Sequence, residues 1–317
     1  MMQGLGILMY LRKHRAIITI CFFLQFTFSA ACASSTSLVV LYPKVAAPYN
    51  QIFDEIIVGI EQQFDGDVSL KSIEKSDTNE LLSRWIDNKN PQMLVALGRR
   101  GYNLIQNIQN IQNEKPVVIG ALPIKPNGMP GISLLADPHI LFNALQQLAP
   151  NIKRVHVVYS ENSEWLVQLA EIQSKSMGLV LNKIKAVDIK SALAEYDNLL
   201  ATIDIKTDAL WLPLDPVTVN EQVILPRLLE RSWEQNLVLF SSKPSHAKRG
   251  ALFSMFPNHF ELGKQLAIMV ETIYKTQDSE GVVPLQNMRL AVNLRTAAHL
   301  GFEYKNRQKE QFDVTFP

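Results

Sequence analysis

The sequence predicts an α/β fold divided into two lobes, and three observations carry that prediction. The chain has 317 residues, more than one hydrophobic core usually serves before a protein divides. From Ser37 onward short apolar runs alternate with amphipathic segments, the rhythm of parallel sheets covered by helices on both faces. The rhythm is interrupted by ALPIKPNGMPG over residues 121–131, whose three prolines and two glycines sustain neither a helix nor a central strand.

The elements follow in order. SLVVLYP, ending at Pro43, is rich in β-branched residues and reads as a buried strand. Tyr49, Ile52, Phe53, Ile56, Ile57, Ile60 and Phe64 then recur at helical spacing, so a helix is expected with all of them, Tyr49 included, on its buried face. Strand-like 68–73, helical 79–86, strand-like 93–98, a helix from Tyr102 and strand-like 116–120 complete a first series. The break at 121–131 is expected to be the first crossing between lobes. A second series follows: a helix over 138–148, a strand over 155–160, a helix through Trp165 and Leu166, a strand over 179–184 and a helix over 193–200. Strands over 209–215 and 237–242 flank a further helix, which a capping box of Thr218 with Glu221 is expected to open and Pro226 to kink or restart. Downstream, Asn258 and Glu261 are placed to cap a helix whose Leu262, Leu266, Met269 and Ile273 share one face.

Ahead of this body stand a basic stretch over 11–15, an apolar run over 16–28 and small residues over 29–33, the three-part plan of a secretory signal peptide. The apolar run is short for a bilayer span, which disfavours a retained anchor. Periplasmic export is therefore expected, with residues 1–33 as the signal. Both cysteines, Cys21 and Cys32, fall in this region, so the mature body has no pair to oxidise. Cys32 follows Ser29-Ala30-Ala31 without the leucine usual before a lipidated cysteine, and both a free and a lipid-anchored product stay open. Basic and acidic residues nearly balance, 31 against 30, which argues against a nucleic-acid partner, since phosphate binding needs concentrated Lys and Arg. No G-x-S-x-G, H-E-x-x-H, G-x-x-x-x-G-K or C-x-x-C occurs, and the six histidines are scattered. The chain is therefore expected to be no enzyme, to hold neither metal nor cofactor, and to act as a monomer. His246 and His259 are expected to be exposed loop or helix-start residues.

Four stretches carry a resemblance. KRGALFSMFPNHFELGKQLA over 248–267 and RLAVNLRTAAHLGF over 289–302 resemble the KRGAL, ELG and LVINLKAAEALG segments of ABC-transporter substrate-binding proteins, the family that includes tryptophan-binding lipoproteins. VHVVYSENSE over 155–164 looks like the VGVLYNPSE of that family, and WLPLD over 211–215 like its YVPTDN. The resemblance implies a type I periplasmic-binding fold: two Rossmann-like lobes with parallel sheets joined by a three-crossing hinge. Its limits are then expected at 37–122 plus 257–279 for one lobe and 123–256 plus 280–317 for the other. It implies a solute receptor that delivers a small polar or amino-acid-like ligand to the membrane permease of an ABC importer. A sensory or partner-binding role on the same fold, beside a membrane sensor, is the rival reading.

In parallel α/β lobes ligands sit at the carboxyl ends of strands, where backbone N–H groups are free. The expected contacts are Tyr42, Gly98, Arg99, Arg100, Ser160, Asn162, Asp215, Ser241, Ser242 and Phe256. Gly98 to Gly101 stand where the family has a Gly-Thr turn, and an arginine there could clamp a carboxylate or phosphate through its planar fork. Asp215 matches an aspartate of the family; it could hold a ligand ammonium or serve as a turn carboxylate beside Pro216. The chain departs from the family after the 116–120 strand. A longer cleft-lining segment is reduced to residues 121–131, with Asn127-Gly128 as a remnant of Gly-Gly-Asn, so that side of the pocket is expected to be remodelled or lost.

Overall fold

The computed structural model describes residues 36–317 apart from 109 and 110; the expected signal peptide and Cys32 lie outside the described residues. The first series supplies β1 (Ser37–Pro43), α1 (Asn50–Gln63), β2 (Asp67–Ile73), α2 (Asn79–Lys89), β3 (Met93–Leu97), α3 (Gly98–Asn107), α4 (Ile111–Glu114), β4 (Val117–Leu122) and β5 (Gly131–Ala136). After these come α5 (Pro138–Leu148), β6 (Arg154–Tyr159), α6 (Glu164–Ser176), β7 (Val180–Lys185), α7 (Ile189–Thr202), β8 (Asp208–Leu212), α8 (Ile224–Gln235), β9 (Val238–Ser241), α9 (Pro244–Arg249) and β10 (Phe253–Pro257). The chain closes with α10 (His259–Thr276), β11 (Val282–Leu285), β12 (Met288–Asn293), α11 (Leu294–His299), α12 (Asn306–Lys309) and β13 (Val314–Phe316).

These strands form two sheets. One has the order β11-β5-β4-β3-β1-β2 and the other β13-β12-β10-β9-β8-β6-β7. All pairings in the first are parallel, and in the second only β10 with β12 runs antiparallel. The apolar runs are continuous because each sheet is covered twice. Leu38 and Val40 of β1 enter one core while Val39 and Leu41 enter another on the opposite face. Trp211 and Leu212 of β8 divide the same way in the second lobe.

The lobe limits differ from those expected. β5 pairs with β4 and β11 with β5, so the chain stays in the first lobe after the 121–131 break and leaves it at Asp137. β10 belongs to the second sheet through Pro257, and α10 then packs its Leu262, Leu266, Ala267 and Val270 into the first lobe's core. A third crossing joins β11 to β12. The three crossings lie side by side: Asp137 N donates to Leu285 O at 2.9 Å and Asn258 N to Asn287 O at 3.2 Å.

Local chemistry explains the helix limits. Asn258 caps α10 by accepting from Glu261 N at 3.3 Å, as its sequence predicts. The capping box of Thr218 with Glu221 does not form. Pro is tolerated only in a helix's first turn, so Pro226 holds the start of α8 at Ile224, and Asn220 Oδ1 accepts from Gln222 N and Val223 N instead. Tyr49 precedes α1 and is 67% exposed; it lies beyond the stretch that the sheet covers. At the crossing of α1 with α10, Gly59 and Gly263 bring the two backbones together. A Cβ on Gly263 would stand 2.0 Å from Ile56 O.

Candidate functional site

Topology fixes where the two sheets face each other. β5 and β11 cross to the second lobe from their carboxyl ends, and β10 crosses to the first lobe from its own. The carboxyl ends of both sheets therefore meet the hinge, and the loops that follow them form two opposed rims. In the first lobe these are the loops after Pro43, Ile73, Leu97 and Leu122; in the second, those after Tyr159, Leu212 and Ser241.

On the first rim, Gly98 turns the chain from β3 directly into α3 with φ +68°, a left-handed conformation that favours glycine. Arg99 is exposed, its guanidinium 5.9 Å from the centre of the Tyr102 ring, and no carboxylate lies within ion-pairing distance of it among the described residues. Arg100 is half-buried and donates to Ile73 O at 3.3 Å, which ties α3 to the end of β2. Tyr42 is half-buried against the first lobe's core. Ala121 takes φ +59° at the end of β4, a strained conformation for a residue with a Cβ.

The second rim is organised by Asp215, which is 2% exposed. Its carboxylate accepts from Ser160 N at 2.8 Å, Ser160 Oγ at 2.8 Å, Ser163 Oγ at 2.9 Å and Val217 N at 3.0 Å. Of the two roles that the sequence left open for it, this geometry favours the structural one: the loops after β6 and β8 are joined through it. Ser160 is buried in that network, and Asn162, whose N–H donates to Ser160 Oγ at 3.2 Å, is exposed beside it. Ser241 is wholly buried behind the rim, so its hydroxyl supports the loop instead of facing the cleft. Ser242 is half-buried and accepts from Trp211 Nε1 at 3.1 Å. Phe256 lies half-buried in β10 beside the hinge.

Sequence reasoning missed a cluster next to these residues. Glu221 bonds Lys243 Nζ, His246 Nε2 at 2.9 Å and Arg249 Nη1 at 2.6 Å. His246, expected to be exposed, is only 1% accessible, and its Nδ1 meets Ser241 Oγ at 2.7 Å. A cavity of about 380 Å³ opens here, lined by Leu214, Asp215, Pro216, Glu221, Lys243 and His246 among others. Only the fold brings these groups, from the loop after β8, the loop after β9 and α9, together.

The cluster makes a pH prediction. Burial alone would raise the Glu221 carboxyl, yet hydrogen bonds from Lys243 and His246 outweigh it and hold the group at about 2. A carboxyl with a depressed folded value stabilises fully above its unfolded value and loses that contribution as pH falls through the folded one. Stability is thus expected to decline from near pH 4.5 towards about 2, and Glu221→Gln to flatten that decline in urea denaturation across the same range. The side chain is 37% accessible, so solvent screening keeps the effect modest.

Two lobes of mostly parallel sheet, three adjacent crossings and opposed loop rims define the type I periplasmic-binding architecture, a class that binds solutes. The chain belongs to the ABC transporter substrate-binding protein family, whose sequence profile matches residues 58–311. Among solved structures it is similar to a ligand-free, open substrate-binding protein with adhesive properties from Clostridium difficile (14% identity, 89% of this chain, 99% of that one, TM-score 0.61). It is also similar to the ABC domain in complex with L-Trp from Streptococcus pneumonia (15% identity, 89% and 100%, TM-score 0.51). A conserved domain protein from Vibrio cholerae is comparable (16% identity, 89% and 99%, TM-score 0.50). No curated protein sequence matches the chain significantly. No helix among the described residues is long and apolar enough to cross a membrane.

Proposed function

We propose that this chain is the extracytoplasmic receptor of an ABC importer, binding a small polar or amino-acid-like ligand between its lobes and presenting it to a membrane permease. The observation that supports this reading most is the pair of opposed rims, with an exposed Arg99 that pairs with no carboxylate among the described residues on one and the 380 Å³ cavity lined by Asp215, Glu221 and Lys243 on the other. Arg99 clamps an anionic group of the ligand, since guanidinium matches carboxylate and phosphate geometry. Arg100 and Gly98 shape the turn that carries it, Tyr42 and Phe256 wall the cleft, and Ser160, Asp215 and Ser241 keep the second rim in register. The receptor reaches its place by the signal over residues 1–33, and Cys32 is the residue that would carry a lipid. It works as a monomer without catalysis.

The test is a thermal-shift screen of amino acids, nucleosides, small sugars and their phosphates. A ligand at a hundred times its Kd stabilises the folded state by about 2.7 kcal/mol, so a true ligand raises Tm clearly. Arg99→Ala is expected to weaken an anionic hit by at least about tenfold in calorimetry, corresponding to about 1.4 kcal/mol. A screen with no shift would remove the receptor reading. It would favour the second one, a sensory or partner-binding protein of the same fold.

A further inference from the structure

The reduced 121–131 segment is not a passive linker. Leaving β4, it crosses in front of the first rim, where Asn127 Nδ2 donates to Tyr102 Oη at 2.9 Å and Met129 N to Asn127 Oδ1 at 3.1 Å. Ile124 N donates to the buried Ser133 Oγ at 3.1 Å, which pins the other end. From this pinned strap Lys125 Nζ reaches Glu161 O in the second lobe at 2.9 Å. The second lobe reaches back. Trp165, in the first turn of α6, is half-buried and packs at once against its own lobe's core and against the first-lobe cluster that contains Leu122, Ile124 and Met129. Tyr102 borders the same cluster.

These contacts lie at the cleft and not at the crossings. Opening the lobes would uncover one face of the indole and break the Lys125 bond, and neither loss is repaid within the protein. Apolar surface exposed to water carries a free-energy cost, and the two conformations of a hinged protein usually differ by only a few kcal/mol. One large aromatic shared between lobes is therefore enough to set the balance. We propose that Trp165 and the 123–130 strap form a latch that holds the two lobes together before any ligand arrives, with Trp165 as the positioning residue. This goes beyond the receptor reading in part and rests on it in part: the latch needs only two hinged lobes, whereas its effect on affinity needs a ligand. Holding the lobes closed pre-pays closure, so a ligand would bind tightly but enter slowly.

The test needs no ligand. Spin labels on Val45→Cys and Leu214→Cys, one on each rim, with Cys21 and Cys32 replaced by serine, report the interlobe distance in the full chain. The parent protein is expected to give one short, narrow distance distribution. Trp165→Ala is expected to lower the closed-to-open ratio by at least about tenfold and to add a long, broad component. Lys125→Ala, which touches no core, should shift the ratio in the same direction by a smaller factor with its melting temperature unchanged. An unchanged distribution in both variants, or a parent protein already broad and open, overturns the latch. If Trp165→Ala fails to fold, the Lys125→Ala and Trp165→Phe distributions decide. Failure of every ligand in the thermal screen alongside the expected distance change would remove the receptor reading and leave the latch standing.

Discussion

Gly263→Ala is expected to destabilise the first lobe by about 2–4 kcal/mol, although alanine is the better helix former by about 1 kcal/mol. An ideal Cβ on residue 263 would stand 2.0 Å from Ile56 O and 3.0 Å from Ile60 N, and one on Gly59 would stand 2.0 Å from Phe260 O. All of these obstacles are backbone atoms, so no rotamer change can relieve them; the helices α1 and α10 must part. Parting them withdraws Leu262, Leu266, Ala267 and Val270 from the core beneath the first sheet, where each is wholly buried. The damage extends beyond one contact because α10 is the only helix that the second crossing returns to this lobe among the described residues. Urea denaturation followed by far-UV circular dichroism measures the loss. Lys264→Ala, one residue along and partly exposed, should stay within about 0.5 kcal/mol of the parent. A Gly263→Ala protein as stable as that control would mean that the helix crossing is looser than its geometry states.

How far the sequence foretells this architecture depends on whether the relevant interactions are local. The strands β1, β3 and β8 were legible because burial on both faces writes itself as a continuous apolar run. β5 was not, because Ser133 interrupts its pattern; the fold buries that serine fully and uses its hydroxyl to accept from Ile124 N. β11 contains Pro284, which argues against a strand everywhere but at a sheet edge, and an edge is where it lies. Missing these two strands moved the first crossing from Asp137 back into the 121–131 break. Tyr49 kept the helical spacing of its neighbours, yet spacing cannot tell where the covering sheet stops. The rims were legible as loops after strands, whereas their inner bonding was not. Glu221 meets Lys243, His246 and Arg249, and Lys125 meets Glu161, only through tertiary folding. The shortening of the 121–131 segment was visible in the sequence; that it reaches the opposite lobe was not.

Asp215 separates a ligand contact from a structural support, and its substitution is expected to show the latter. Asp215→Ala should cost about 3 kcal/mol or more, because the buried hydroxyls of Ser160 and Ser163 and the N–H groups of Ser160 and Val217 lose their acceptor. Asp215→Asn keeps one acceptor oxygen and should fall between the two proteins. If the carboxylate instead held a ligand ammonium, removing its charge would weaken binding while leaving the ligand-free protein nearly as stable as before. Urea denaturation without ligand, paired with calorimetry on a hit from the thermal screen, distinguishes the two. The structural role requires that stability fall first and that Asp215→Asn retain affinity wherever it remains folded. The reverse order would place the carboxylate in the cleft. The structural order has a consequence for recognition, since a rim fixed from behind by a buried carboxylate leaves Asn162, bonded to Ser160, held in place to meet a ligand. Contacts held in advance spare the ligand the cost of ordering them.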